Sequence, residues 1–224
     1  MNNLQKMGGI AALIGAATNL LAIGVFLTLL APKGYGFEDL DPGRTVAFFA
    51  DNQALMSLWY QIQFLVFGVC LIFLSLALYE RLKAGSPALA QAVTTFGLIW
   101  AVLVIVIGTL SINNLSTVVK LYGENPAQAA TVWLTLKSVE TGLGGGVGET
   151  IVNALWFLLL SWAALRAREF PRVLNYLGVV IGVVGILSVV LASVDLMSVY
   201  GLGLIIWFVW LGIAMLRRSP NLAA

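Results

Sequence analysis

Six polar side chains carry most of what this sequence could offer a ligand: Gln61, Asn113, Asn114, Glu149, Asn153 and Asp195. Each stands in or beside a long apolar run, where a polar group is costly and marks a binding site or ion path by default. Glu149 and Asn153 are four residues apart, so on a helix they share one face, just after a glycine-rich turn. That face would line a cavity, with Gln61, Gln63, Asn113 and Asn114 as further walls. A plainer reading competes with it. Glu149 would sit at a helix N-terminus, where the dipole favours an anion, and the amides would be interhelical hydrogen bonds of about 0.6 kcal/mol each. Asp195 reads either as a helix-end residue at the interface or as a ligand.

The residues that are missing narrow the chemistry. There is no histidine, which removes imidazole proton relays, histidine-bound zinc or haem and serine–histidine hydrolysis together. No metal or other cofactor is expected. The single cysteine, Cys70, lies in mid-run and reads as a small buried apolar residue. Gly142, Gly144, Gly145, Gly146 and Gly148 suggest a phosphate loop, but no Lys-Ser/Thr follows and no strand precedes. Every lysine lies near the end of a run, so none suits a mid-membrane Schiff base. Glu149 with Glu140 or Asp195 could form an acid–base pair, but spacing in sequence leaves their separation open. A net charge of +2 without a basic run gives nucleic acid nothing to bind.

The elements that must hold these residues are membrane helices. Of 224 residues, 60% are hydrophobic and 10% charged, and mean hydropathy is +0.98. Too few polar side chains remain to face water, and the apolar runs reach the ~20 residues that span ~30 Å of hydrocarbon. The fold class is therefore all-α and polytopic. Six spans are expected, over about 7–30, 54–80, 89–121, 148–166, 173–194 and 199–216. The first is too long for the apolar part of a signal peptide and is kept as a mature helix. The third exceeds what the bilayer needs, so it must tilt, break or protrude.

Orientation follows from the basic residues. Lys6, Arg81, Lys83, Arg166, Arg168, Arg172, Arg217 and Arg218 fall on one side, against Lys33, Arg44, Lys120 and Lys137 on the other. Both termini are then cytoplasmic. Counted at ~1.5 Å per residue from the cytoplasmic ends, Gln61, Asn113, Glu149 and Asp195 fall in one layer about 25–34 Å away. Asn19 and Asn153 reach deeper, at about 20 Å.

The two long outer loops carry short helices that would lie in the headgroup layer. Asp41-Pro42 and Asn125-Pro126 each set a capping side chain before a proline that costs no hydrogen bond at a first helical position. After Asn125, Val132, Trp133, Leu136 and Val139 fall on one face. These loops also share words. Lys33-Gly34-Tyr35-Gly36, Glu38, Asp41-Pro42 and Thr45-Val46 answer Lys120-Leu121-Tyr122-Gly123, Glu124, Asn125-Pro126 and Thr131-Val132. The chain reads as one membrane domain of three parallel hairpins, units 1–86, 87–170 and 171–224, related about the membrane normal. Glycine-rich odd helices (Gly178, Gly182 and Gly185 above all) would pack against aromatic-rich even ones, or serve a homo-oligomer.

The segments DNQALM (51–56), ALYERLKAGSPAL (77–89), YGENPAQAATVWL (122–134), NYLGVV (175–180) and GLGLIIWFVWLGI (201–213) give the chain a resemblance covering nearly its whole length. It resembles the six-span bacterial inner-membrane proteins grouped as domain-of-unknown-function family 4386. The resemblance implies a multi-pass protein of the bacterial cell membrane and brings no activity or catalytic residues with it. From the residues, the leading expectation is binding or transport of a small or amphipathic molecule through an outward-facing pocket. The lipid bilayer is the constant partner, and the ligand could be a small molecule or a lipid. The alternative is a non-catalytic subunit or sensor that meets a partner protein or lipid. An enzyme using carboxylates ranks below both.

Overall fold

The computed structural model describes residues 3–33, 41–143 and 147–217. The Gly34-Tyr35-Gly36 word, Glu38, Gly144 to Gly146 and Arg218 lie outside the described residues. Among those described there is no strand, and six stretches are long and apolar enough to cross a membrane: Asn3–Leu30, Gln53–Leu82, Pro87–Glu124, Pro126–Ala167, Arg172–Val190 and Val194–Leu216. The protein is a multi-pass membrane protein.

Helix α1 (Asn3–Val25) continues through a π-helical turn, Phe26–Leu30. A short helix α2 (Pro42–Asp51) precedes the second span, which consists of α3 (Gln53–Tyr60), a π-helical stretch Gln61–Val66 and α4 (Phe67–Leu82). Then come α5 (Pro87–Glu124), α6 (Pro126–Leu143), α7 (Val147–Ala167), α8 (Arg172–Val190) and α9 (Val194–Leu216). The caps form as the sequence suggests. Asp41 Oδ1 accepts the Gly43 amide at 2.9 Å, and Asn125 Oδ1 accepts the Gln128 amide at 3.1 Å. One boundary differs. The expected spans over 173–194 and 199–216 meet earlier, because Ser193 caps α9 by accepting the Leu196 amide at 3.3 Å. A serine hydroxyl that offers a cap outweighs the apolar run that seemed to continue through it.

The crossing helices form a closed ring in chain order: α1 packs on α4, α4 on α5, α5 on α7, α7 on α8, α8 on α9, and α9 returns to α1. The closure is tight near the termini, where a methyl group on Gly9 would stand 2.8 Å from Leu216. The start of α1 and the end of α9 are therefore at one end of the bundle. At the other end α5, unbroken over 38 residues, supplies the surface on which α2 and α6 pack. There Val46, Phe49, Met56, Leu115, Val118 and Trp133 form a second core, with Phe49 and Trp133 edge to face at 4.9 Å. Trp133 faces inward with Val132 and Leu136 beside it, but Val139, expected on the same face, is half exposed. At 100° per residue it lies about 120° round the helix from the buried Trp133 and past the contact edge.

In mid-bundle the ring is filled by Phe67, Trp100, Trp156, Phe157, Trp207 and Phe208, all buried. Their centroids approach to 4.8 Å for Phe157 and Trp207 and 5.4 Å for Trp100 and Trp156, mostly edge to face, as ring quadrupoles prefer. The rings fit because glycine stands opposite. A methyl group on Gly97 would lie 2.3 Å from Ser75 Oγ and 2.8 Å from Trp156 Nε1; one on Gly178 would lie 2.2 Å from Ser161 Oγ and 3.0 Å from Trp207 Nε1. The small faces of α5 and α8 are thus spent inside the chain.

Candidate functional site

Above the aromatic plug, towards the α2/α6 end, the ring encloses a cavity of about 300 Å³. Five crossing segments line it: Asn19 and Ile23 on α1, Gln63 and Phe64 on the second span, Trp100 and Val104 on α5, Glu149, Thr150 and Asn153 on α7, and Met197, Tyr200 and Gly201 on α9. Phe67 and Trp100 form its floor. The walls recede here because the inward positions of α7 and α9 carry Thr150, Asn153 and Gly201 rather than the rings found two turns further in.

The polar groups in the cavity are held from different helices. Trp100 Nε1 donates to Glu149 Oε1 at 2.9 Å, joining the floor on α5 to the wall on α7. Tyr200 donates its hydroxyl proton to Asn153 Oδ1, joining α9 to α7. Asn19 donates back to Gly15 O within α1 at 2.8 Å. Glu149 and Asn153 keep a common face, as their spacing demands, and Glu149 is the one acidic residue among those that line the cavity. No lysine or arginine lines it. Such a pocket offers hydrogen-bond acceptors and aromatic faces, so it suits a donor or a cation rather than an anion.

The other expected site residues are not brought to the cavity. Gln61 is exposed and donates to Ser57 Oγ at 3.2 Å, on the outer side of its helix. Asn113 is exposed on α5, and Asp195 is exposed in the first turn of α9. Asn114 is buried elsewhere, donating to Glu140 Oε1 at 2.7 Å where α6 meets α5. Counting depth along each helix puts Gln61, Asn113, Glu149 and Asp195 in one expected layer but cannot give their azimuth. Asn113 and Asn114 show the difficulty, since neighbours on a helix point about 100° apart. Tyr200 and Trp100 were missed as partners. The clue available was that a buried carboxyl and a buried amide need donors, and indole and phenol are the donors that apolar helices can carry.

Among the described residues no group of three or more acidic or cysteine side chains could hold a metal ion. Glu149, Glu140 and Asp195 lie in three different settings: a cavity wall, a buried amide pair and an exposed helix start. No curated protein and no solved structure matches the chain. A family model does, over residues 7–215, and on that match the chain belongs to the family described as domain of unknown function DUF4386.

Proposed function

We propose that the protein binds a small molecule with an apolar body and a hydrogen-bond-donating or ammonium head in the cavity beside Glu149 and Asn153. The observation that carries this reading is a cavity of about 300 Å³ that pairs one acidic group with aromatic faces and no base. A cation over Trp or Tyr gains about 0.5–2 kcal/mol, more as water is excluded, and a carboxylate beside it adds to that. The distribution of basic residues supports placing the termini in the cytoplasm of a bacterial cell and the cavity towards the outside. The aromatic floor supports a pocket that is open on one side over a continuous pore.

The test is a thermal-shift titration of the protein in lipid nanodiscs with alkylammonium ions of increasing size. Stabilisation that saturates, and that weakens at least tenfold in Glu149→Gln, is the expected result. Equal stabilisation of wild type and Glu149→Gln, or none at any size, overturns it. A second reading draws on α6, where Leu134, Val139 and Leu143 are about half exposed. In that reading α6 meets lipid headgroups or a partner protein, and a second protein would copurify stoichiometrically until Leu134→Lys is introduced.

A further inference from the structure

On the outside of the ring, between α1 and the second span, runs an apolar groove of about 70 Å³ lined by Thr18, Leu21, Ala22, Leu55, Leu58 and Ile62, among others. Leu21 and Leu58 are 57% and 55% exposed, so the groove opens to the surface that hydrocarbon would cover. What separates it from the cavity is thin. Thr18 and Ala22 face the groove while Asn19 and Ile23, one step round the same helix, face the cavity. On the second span Ile62 faces the groove and Phe64 the cavity, and Gln63 lines both.

Two features mark this seam as built to part. Gln63 Oε1 and Trp59 Nε1, an acceptor and a donor one turn apart, are both buried there without a hydrogen-bond partner. Leaving such atoms unpaired costs about 1–3 kcal/mol each; Ser75 Oγ, Trp156 Nε1 and Ser161 Oγ are unpaired too, sealed among the packed rings, but Gln63 and Trp59 are the ones that line the groove. The second span also departs from α geometry here: Gln61–Val66 is π-helical, a distortion that is frequent where a helix serves a site rather than only packing.

We infer that the seam between α1 and the second span is a lateral entrance, through which a single-chain amphiphile passes from the bilayer into the cavity. Its head reaches Glu149 and Asn153, and its alkyl chain lies in the groove outside, past Gln63. At about 70 Å³ the groove holds a short length of one alkyl chain and leaves no room for a second beside it. Gln63 Oε1 accepts an N–H of the passing head, and the Trp59 indole offers the head its aromatic face. This rests on the binding reading given above and names its substrate class, a membrane-dissolved amine or similar donor with one chain.

Two probes with one head and different routes separate the possibilities: butylammonium, which arrives through water, and dodecylammonium, which partitions into the bilayer. Binding to the full chain in phosphatidylcholine nanodiscs is followed by quenching of tryptophan fluorescence, with Trp59 and Trp100 beside the path. Ala22→Phe fills the groove, and Leu21→Trp, at an exposed position that tolerates bulk, narrows it from outside. The expected result is that both variants slow association of dodecylammonium at least tenfold and leave butylammonium unchanged. If dodecylammonium binds both variants at the wild-type rate, the lateral entrance is overturned while the pocket stands. If neither probe binds wild type, the pocket reading falls and the entrance falls with it.

Discussion

The two halves of the ring are built on the same helices and differ in what faces the axis. From mid-bundle towards the termini the axis is filled, first by six aromatic rings with Trp156 fully buried, and the glycines opposite them let the helices close. Towards the α2/α6 end the same helices turn Asn19, Thr150, Asn153 and Gly201 inward, and a cavity remains. The lesson is about volume before polarity. In mid-bundle the central space is filled by indoles and phenyls, and nearer the termini small residues let aliphatic side chains such as Leu78, Leu82 and Met215 close it. On the other side of the rings neither device is present, and the polar groups there can be hydrated or can take a ligand.

The strongest way to break this contrast is to open the plug. Trp156→Ala removes the indole at the meeting point of Trp100, Phe157, Trp207 and Phe208. A tryptophan truncated in a close-packed core costs about 3–5 kcal/mol, partly as lost contacts and partly as the void left behind. Thermal unfolding in a mild detergent should show the largest loss of any single change in the bundle. A loss below about 1 kcal/mol would mean that the plug is not what closes the ring.

A smaller effect tests whether the wet side chains of the α2/α6 end act alike. Asn114 is buried against Glu140 where α6 meets α5, away from the cavity. Asn114→Leu leaves a buried carboxyl without its donor, at a cost of about 1–3 kcal/mol. The loss should appear as early proteolysis of α6 and leave ligand binding in the cavity unchanged. Loss of binding without loss of protection would place Asn114 functionally with Asn153, against the geometry.

Much of this architecture was legible in the chain, for identifiable reasons. Membrane spans are set by length and apolarity, which are one-dimensional properties, so the spans could be read off with only the α8–α9 boundary displaced. Depth is also one-dimensional, and Glu149, Asn153, Asn113 and Asn114 do lie towards one end. Azimuth is not. Whether a side chain faces the axis, a neighbouring helix or the outside depends on how each helix is rotated in the ring, and hydrophobicity all round a membrane helix hides that rotation. Gln61 and Gln63 illustrate the limit: two residues apart in a π-helical turn, one is exposed and the other lines the cavity. The i, i+4 pair Glu149 and Asn153 was readable because the helix itself fixes their relation, independent of any neighbour.

The finest test contrasts two hydroxyl-sized deletions. Tyr200 donates to Asn153 across the cavity from α9 to α7, while Ser188 donates to Gly185 O within α8 at 2.8 Å. Tyr200→Phe keeps the ring that packs against Gly185 and removes only the donor. A neutral hydrogen bond contributes about 0.5–1.5 kcal/mol, but Asn153 Oδ1 borders a cavity that can hold water, so the loss should fall at or below the lower end. Ser188→Ala should be as mild, because the Gly185 carbonyl lies within a helix and the serine hydroxyl merely doubles its bond. The two therefore match in stability and separate in binding. Tyr200→Phe frees an acceptor in the pocket and should change the affinity for an ammonium head severalfold, while Ser188→Ala should leave it untouched. Equal, unchanged affinities in both would mean that Asn153 and Tyr200 are a structural clasp between α7 and α9, and the ligand would then rest on Glu149 and the aromatic floor alone.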